Sequence, residues 1–177
     1  NNNTTLGQIA DTQIMAPDLM TAAPKTADEY GDPDAPIDWL DMQSRANAIM
    51  RDPRSQRFMF RLDKLQRDLS RMLRSNPDTV LFALIHLTAS ETRFYSATHA
   101  MLVSVACMVA AREVLQWSPE RVRQLGCAAL SMNIAMTGLQ DQLAQQLDSL
   151  SGPQISAIES HAGDSQALLR SLGVEDP

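Results

Sequence analysis

Glycine is scarce, at 7 residues, and β-branched residues form few runs, so tight-turned strands have little to be built from. Leu, Ala, Met, Gln and Arg fill the central part instead and favour helix. Cysteine is limited to 2 residues. Cys107 and Cys127 sit in apolar stretches without CxxC or Cys/His spacing, which argues against a disulfide or a zinc site and marks both as buried free thiols in a reducing compartment. No apolar run approaches the roughly 20 residues that cross a bilayer, and Asn1 to Leu6 lacks a basic segment followed by an apolar one, so a soluble, cytoplasmic chain is expected. Positive charge is also short: 15 Lys and Arg stand against 21 Asp and Glu, a formal net charge of -6. A surface of that average sign repels a nucleic-acid backbone, so no polymeric nucleic acid is expected as a partner. No repeat of fixed period is present.

The 177 residues are 44% hydrophobic and include 2 Trp, enough for one core with flanking structure. The expected class is all-α: one helical bundle with a helical lead-in and a flexible N-terminal tail. The tail, 1–38, is acidic and punctuated by Pro17, Pro24, Pro33 and Pro36, although Leu6, Ile9, Ile14, Met15, Leu19 and Met20 would suit a short docking helix.

Residues 39–75 form the lead-in. From Trp39 the pattern is helical, and after Pro53 a stripe of Phe58, Leu62, Leu65, Leu69, Met72 and Leu73 predicts an amphipathic helix through Arg74. Nine of the 15 Lys and Arg lie between Arg45 and Arg74. Arg51, Arg54, Arg57, Arg61, Lys64, Arg67, Arg71 and Arg74 recur every three or four residues as a basic ridge. The ridge reads as a solvated helix face partly paired with Asp63 and Asp68, or as a docking surface for an acidic partner formed by Arg54, Arg57, Arg61, Lys64, Arg67 and Arg71.

Residues 76–177 read as further helices. Asn76-Pro77-Asp78 caps and starts one that runs to about Leu87. Tyr95 to Val114 is apolar nearly all round, as suits a central helix. Ser118-Pro119-Glu120 opens one through Leu130 with Val122, Leu125, Ala128 and Ala129 inward. Gly152-Pro153 opens the last, using Ile155, Ile158, Leu168, Leu169 and Leu172 before Gly173.

Three segments carry a family resemblance. Tyr95-Ser96-Ala97-Thr98-His99 is similar to an aromatic-Thr-x-x-His helix start. Leu125 to Asp141 matches, without a gap, the frame L-G-x-A-A-L-L-H-D-I-G-K-x-G-I-P-D. Leu150-Ser151-Gly152-Pro153, with Glu159-Ser160-His161 and Leu168-Leu169, is similar to an L-T-x-x-E helix bearing a further His. Together, Asn76 to Val174 resembles the first half of an HD-GYP domain, the helical phosphodiesterase of cyclic di-GMP. The resemblance implies that His99 and His161 stand at metal-ligand positions.

The departures from that pattern fall on its chemistry. The tandem His-Asp position reads Met132-Asn133, the Lys that meets substrate phosphate reads Met136, and the acid before the aromatic pair reads Arg93. The chain ends before a second His pair or a Gly-Tyr-Pro motif. Such a site works when imidazoles and carboxylates hold divalent metals that polarise a phosphodiester and activate water. A thioether and a neutral amide suit hard cations poorly. No metal or other cofactor and no enzymatic activity is therefore expected. The implied function is that of an inactive HD-GYP-like module in bacterial signalling, binding a protein through the basic ridge or the vacated pocket near His99 and Met132. Three alternatives remain: a sensor that binds a cyclic dinucleotide without cleaving it; an active phosphohydrolase rebuilt from His86, His99, His161, Glu91, Glu159 and Asp164; and a metal-free module of the related HD-like output class.

Overall fold

Helix formation begins where Asp38 accepts the backbone N–H of Asp41 (3.0 Å) and caps α1, Trp39–Arg51. The computed structural model describes residues 38–90 and 92–175, which lie in one compact unit, and contains no strand among them. The expected tail over 1–38 lies outside the described residues apart from Asp38. After α1 come α2 (Phe58–Ser75), α3 (Pro77–Ser90), α4 (Tyr95–Val109), α5 (Pro119–Ser131), α6 (Thr137–Leu143) and α7 (Gly152–Ser171).

Three starts follow the capping chemistry. Asn76 Oδ1 accepts the N–H of Thr79 (3.1 Å), and Ser118 Oγ accepts that of Arg121 (3.5 Å) ahead of Pro119. At α7, Ser151 and Gln154 exchange side-chain-to-backbone bonds in a reciprocal capping box.

The α2 stripe is the floor of the core. Phe58, Leu62, Leu65, Leu69 and Leu73 are all buried, each burial worth about 1.5–3 kcal/mol. Opposite them stand Met42, Ala46, Ile49 and Met50 of α1, Val80 and Leu84 of α3, and Ala97, Ala100, Met101, Val105 and Met108 of α4. The lead-in is thus part of the same core as the helices after residue 76. Met72, expected on the stripe, is half-buried at its edge.

Tyr95–Val114 is helical throughout its 20 residues, but its last turn, Ala110–Val114, widens to a π turn. Leu115 N–H bonds Ala110 O and Trp117 N–H bonds Ala111 O, and Gln116 takes a left-handed φ of 53°. Contrary to the sequence expectation, this stretch is long and apolar enough to cross a membrane by length and composition. In this fold it packs inside the bundle, with α3 and α5 on its flanks.

α5 lies close against α4 and α2 at Gly126. A Cβ there would meet Met108 Sδ at 2.8 Å and Gln66 Cγ at 3.1 Å. Ser104 Oγ donates to the Gly126 carbonyl across this contact (2.9 Å). Gly126, Ala129 and Leu130 face inward, whereas Ala128 is exposed, because two residues on from Gly126 is about 200° around the helix. Val122 and Leu125, also expected inward, are half-buried. Ile155 corrects another expectation: it is exposed, since α7 reaches the core through Leu168, Leu169 and Leu172 near its other end.

Candidate functional site

His99 stands in α4, half-buried, its ring stacked on Tyr95 one turn earlier, with centroids 5.5 Å apart and planes 11° from parallel. Burial holds its imidazole below the ordinary value of 6.5. His161, in α7, donates from Nδ1 to the carbonyl of Ile158 in its own helix. Met132 and Asn133 occupy the break after α5, both half-buried. The chain then makes a 3-10 turn, Ile134–Met136, before α6 begins. Met136 is half-buried and precedes the first residue of α6. The turn is pinned to α7 by the Ala135 N–H, which Ser165 Oγ accepts at 3.2 Å.

Of the remaining candidates, His86 is exposed and stacked on Phe82 (6.4 Å). Glu159 and Asp164 are exposed on α7, where Asp164 accepts the Ser160 hydroxyl (2.7 Å). Glu91 lies outside the described residues. Among the described residues, no three His, Cys, Asp or Glu side chains converge in a way that could hold a metal ion.

The carboxylate that this region does bury is Asp141, whose role sequence reasoning missed. Its Oδ1 accepts the backbone N–H of Ser96 at the start of α4 (2.8 Å), and its Oδ2 accepts from Arg51 Nη2 at the end of α1 (2.6 Å). The side chain of Asp141 is 6% exposed and that of Arg51 51%. α4 has no cap from its own N-terminal residue, Phe94, so an acid 45 positions downstream supplies one. Asp141 closes the signature-like frame, and its place there was the only sequence signal. Nearby, Gln43 Nε2 donates to Thr98 Oγ1 (2.9 Å), a buried bond that also ties α1 to α4.

The basic ridge divides into paired and unpaired parts. Asp63 holds Arg67 (2.9 Å) and Arg123 of α5 (2.9 Å); Asp68 holds Arg71 (3.5 Å) and Arg45 of α1. Arg51 belongs to Asp141. Arg54 precedes α2, in the α1–α2 connection, so the helix does not extend back to it. Arg57, the residue that precedes α2, and Phe60, Arg61 and Lys64 in its first two turns follow one another at i, i+3, i+4 and i+7. Phe60 is 56% exposed, and the Arg57 guanidinium lies over its ring at 5.7 Å. Arg61 and Lys64 make no ion pair among the described residues. The aromatic within the ridge is what the charge spacing alone did not show.

An open groove of about 280 Å³ is lined by Met50, Arg51, Pro53, Ile134, Ala135, Thr137, Gly138 and Leu168. The remnant ligand positions are not among its walls. Cys107 and Cys127, expected buried, are half-buried free thiols. Burial, with the Asp63 carboxylate adding to it, pushes the Cys127 thiol up to about 11. No family model matches the chain, and neither does any curated protein or solved structure.

Proposed function

We propose that this chain is a non-catalytic, HD-GYP-like helical module of bacterial signalling that acts by binding a protein partner through the N-terminal turns of α2. The observation that carries the reading is the face formed by Arg57, Phe60, Arg61 and Lys64. An exposed aromatic lies among three cations that have no ion pair among the described residues. Arg and aromatic side chains are the types that anchor protein interfaces, and a cluster of one sign steers an oppositely charged partner. The partner class is therefore an acidic segment carrying an apolar side chain that covers Phe60.

The non-catalytic half of the reading rests on the donors themselves. Met132 and Asn133 offer a thioether and an amide where a hard cation needs charge. The buried carboxylate of the region, Asp141, is engaged by Ser96 and Arg51.

Two measurements test it. Metal analysis of the purified chain, combined with a cyclic di-GMP hydrolysis assay, is expected to give no stoichiometric metal and no turnover; bound manganese or iron, or hydrolysis, rejects the reading. Titration with a synthetic acidic peptide bearing leucine and phenylalanine is expected to give salt-sensitive binding that Arg57→Glu/Arg61→Glu/Lys64→Glu abolishes. Binding that survives this triple reversal moves the site off α2. Heat on titrating cyclic di-GMP alone would favour a nucleotide sensor instead.

A further inference from the structure

α3 is apolar on both of its sides. One side enters the core through Val80 and Leu84. The other faces water: Phe82, Ile85, His86 and Ala89 are all exposed, Phe82 by 73% and Ile85 by 56%. At about 100° per residue these four positions form one stripe about 100° wide, opposite the buried pair. A helix this apolar all round belongs in an interior, yet among the described elements only α2 and α4 pack closely on it.

The charge, size and register of the stripe select what covers it. Asp78, in the first turn, is the one Asp, Glu, Lys or Arg of α3. An acidic or basic partner therefore finds nothing on the stripe to pair with, and covering Phe82 to Ala89 strands no ion. The area is small. Phe82 and Ile85 expose roughly 250 Å² of side chain, and with His86, Ala89 and the flanks the stripe offers roughly 450 Å². Two such stripes bury about 900 Å² in total, the scale of a weak, reversible contact.

The register fits the stripe to its own image. Phe82 and Ala89 lie equally far from the midpoint between Ile85 and His86. A two-fold axis through that midpoint lays a second α3 antiparallel on the first, so that the large Phe82 of each copy meets the small Ala89 of the other. Ile85 meets its own counterpart on one side of the axis, and His86 on the other. The two Asp78 carboxylates go to opposite ends, roughly 22 Å apart by the rise of 15 residues and beyond the screening length of about 8–10 Å. A parallel pairing would bring them together. The Phe82 ring is already stacked on His86 of its own helix (6.4 Å), so little side-chain freedom is lost when it docks.

We propose that the outer stripe of α3 binds the same stripe of a second copy of this chain, giving a symmetric antiparallel dimer with Phe82 of each copy over Ala89 of the other. The dissociation constant is expected on the order of 10–100 µM. None of these residues belongs to the basic start of α2, so either proposal can fail without the other.

Sedimentation equilibrium on the 177-residue chain, from about 5 µM to 1 mM so as to bracket that range, tests the dimer. The wild type is expected to shift from monomer to dimer. Phe82→Ala, which empties the contact, and Ala89→Phe, which sets Phe against Phe, should each weaken association about ten- to a hundredfold. Both positions are exposed, so thermal melts at the dilute end should stay unchanged. The double variant Phe82→Ala/Ala89→Phe exchanges knob and hole on both copies and should recover the dimer to within a few-fold. A monomer at every concentration overturns the proposal and leaves the stripe to a foreign partner. Association unaffected by Phe82→Ala, or removed by Arg57→Glu/Arg61→Glu/Lys64→Glu, also overturns it. Single losses that the double variant does not recover overturn the antiparallel register.

Discussion

Asp141 does two jobs with one carboxylate, and the exposures of its partners set their relative weight. The Ser96 N–H is buried, so losing the carboxylate strands a backbone donor at the start of the central helix. Arg51 is half-exposed and returns to water when the pair breaks. Asp141→Ala is therefore expected to destabilise by about 2–3 kcal/mol, more than a surface cap and less than a fully buried ion pair. Arg51→Ala should cost less, about 1 kcal/mol, because the cap survives; urea denaturation of the two variants checks the order. His99 gives a pH signature. Its imidazole titrates lower in the folded state than the ordinary 6.5 because burial disfavours the charged form. The unfolded chain then binds more protons just below pH 6.5, so this residue's contribution to stability is intact at neutral pH and is lost as pH falls through that window. His99→Gln should flatten the stability profile between about pH 7 and 5 relative to wild type. An identical slope in both proteins would show that His99 does not carry it.

At the scale of elements, the end of α4 is the place where backbone and residue disagree. Gln116 holds a left-handed conformation, φ 53°, that side chains with a Cβ adopt at a cost, and it is exposed, with no packing to lose. Gln116→Gly is expected to raise stability by about 0.5–1 kcal/mol, read as a higher melting temperature. Nothing in the sequence flagged this turn: glycine usually marks a left-handed position, and the chain has none there. The elements that were legible have strong periodicity or explicit caps, such as the Phe58 to Leu73 stripe, Asn76-Pro77 and Ser118-Pro119. Those that were not are set by tertiary contact. The break of Leu125 to Asp141 into helix, 3-10 turn and helix depends on Ser165 reaching in from α7, which is 30 residues away from Ala135. The outward turn of Ala128 depends on which side of α5 carries Gly126. Likewise the basic ridge and its local pairing with Asp63 and Asp68 were legible, while the tie of Arg51 to Asp141 and the sharing of Asp68 and Asp63 with Arg45 and Arg123 depend on α6, α1 and α5 packing nearby.

For the molecule as a whole, ion pairs tie helices to one another, Arg45 to Asp68, Arg123 to Asp63 and Arg51 to Asp141, while the basic-aromatic start of α2 stays open to solvent. A chain of net charge -6 repels acidic partners on average, so an acidic segment has to be met where cations cluster locally, as at Arg57, Arg61 and Lys64. The Asp141 cap also has a temporal side. A polypeptide emerging from its N-terminus presents the whole of Tyr95–Val114 well before residue 141 exists. Until that acid arrives the central helix, even with α5 already available to pack on it, has an open amide at its leading end. The late carboxylate therefore acts as a latch on the order of assembly: newborn chains halted between the two positions would be the ones that stick to one another.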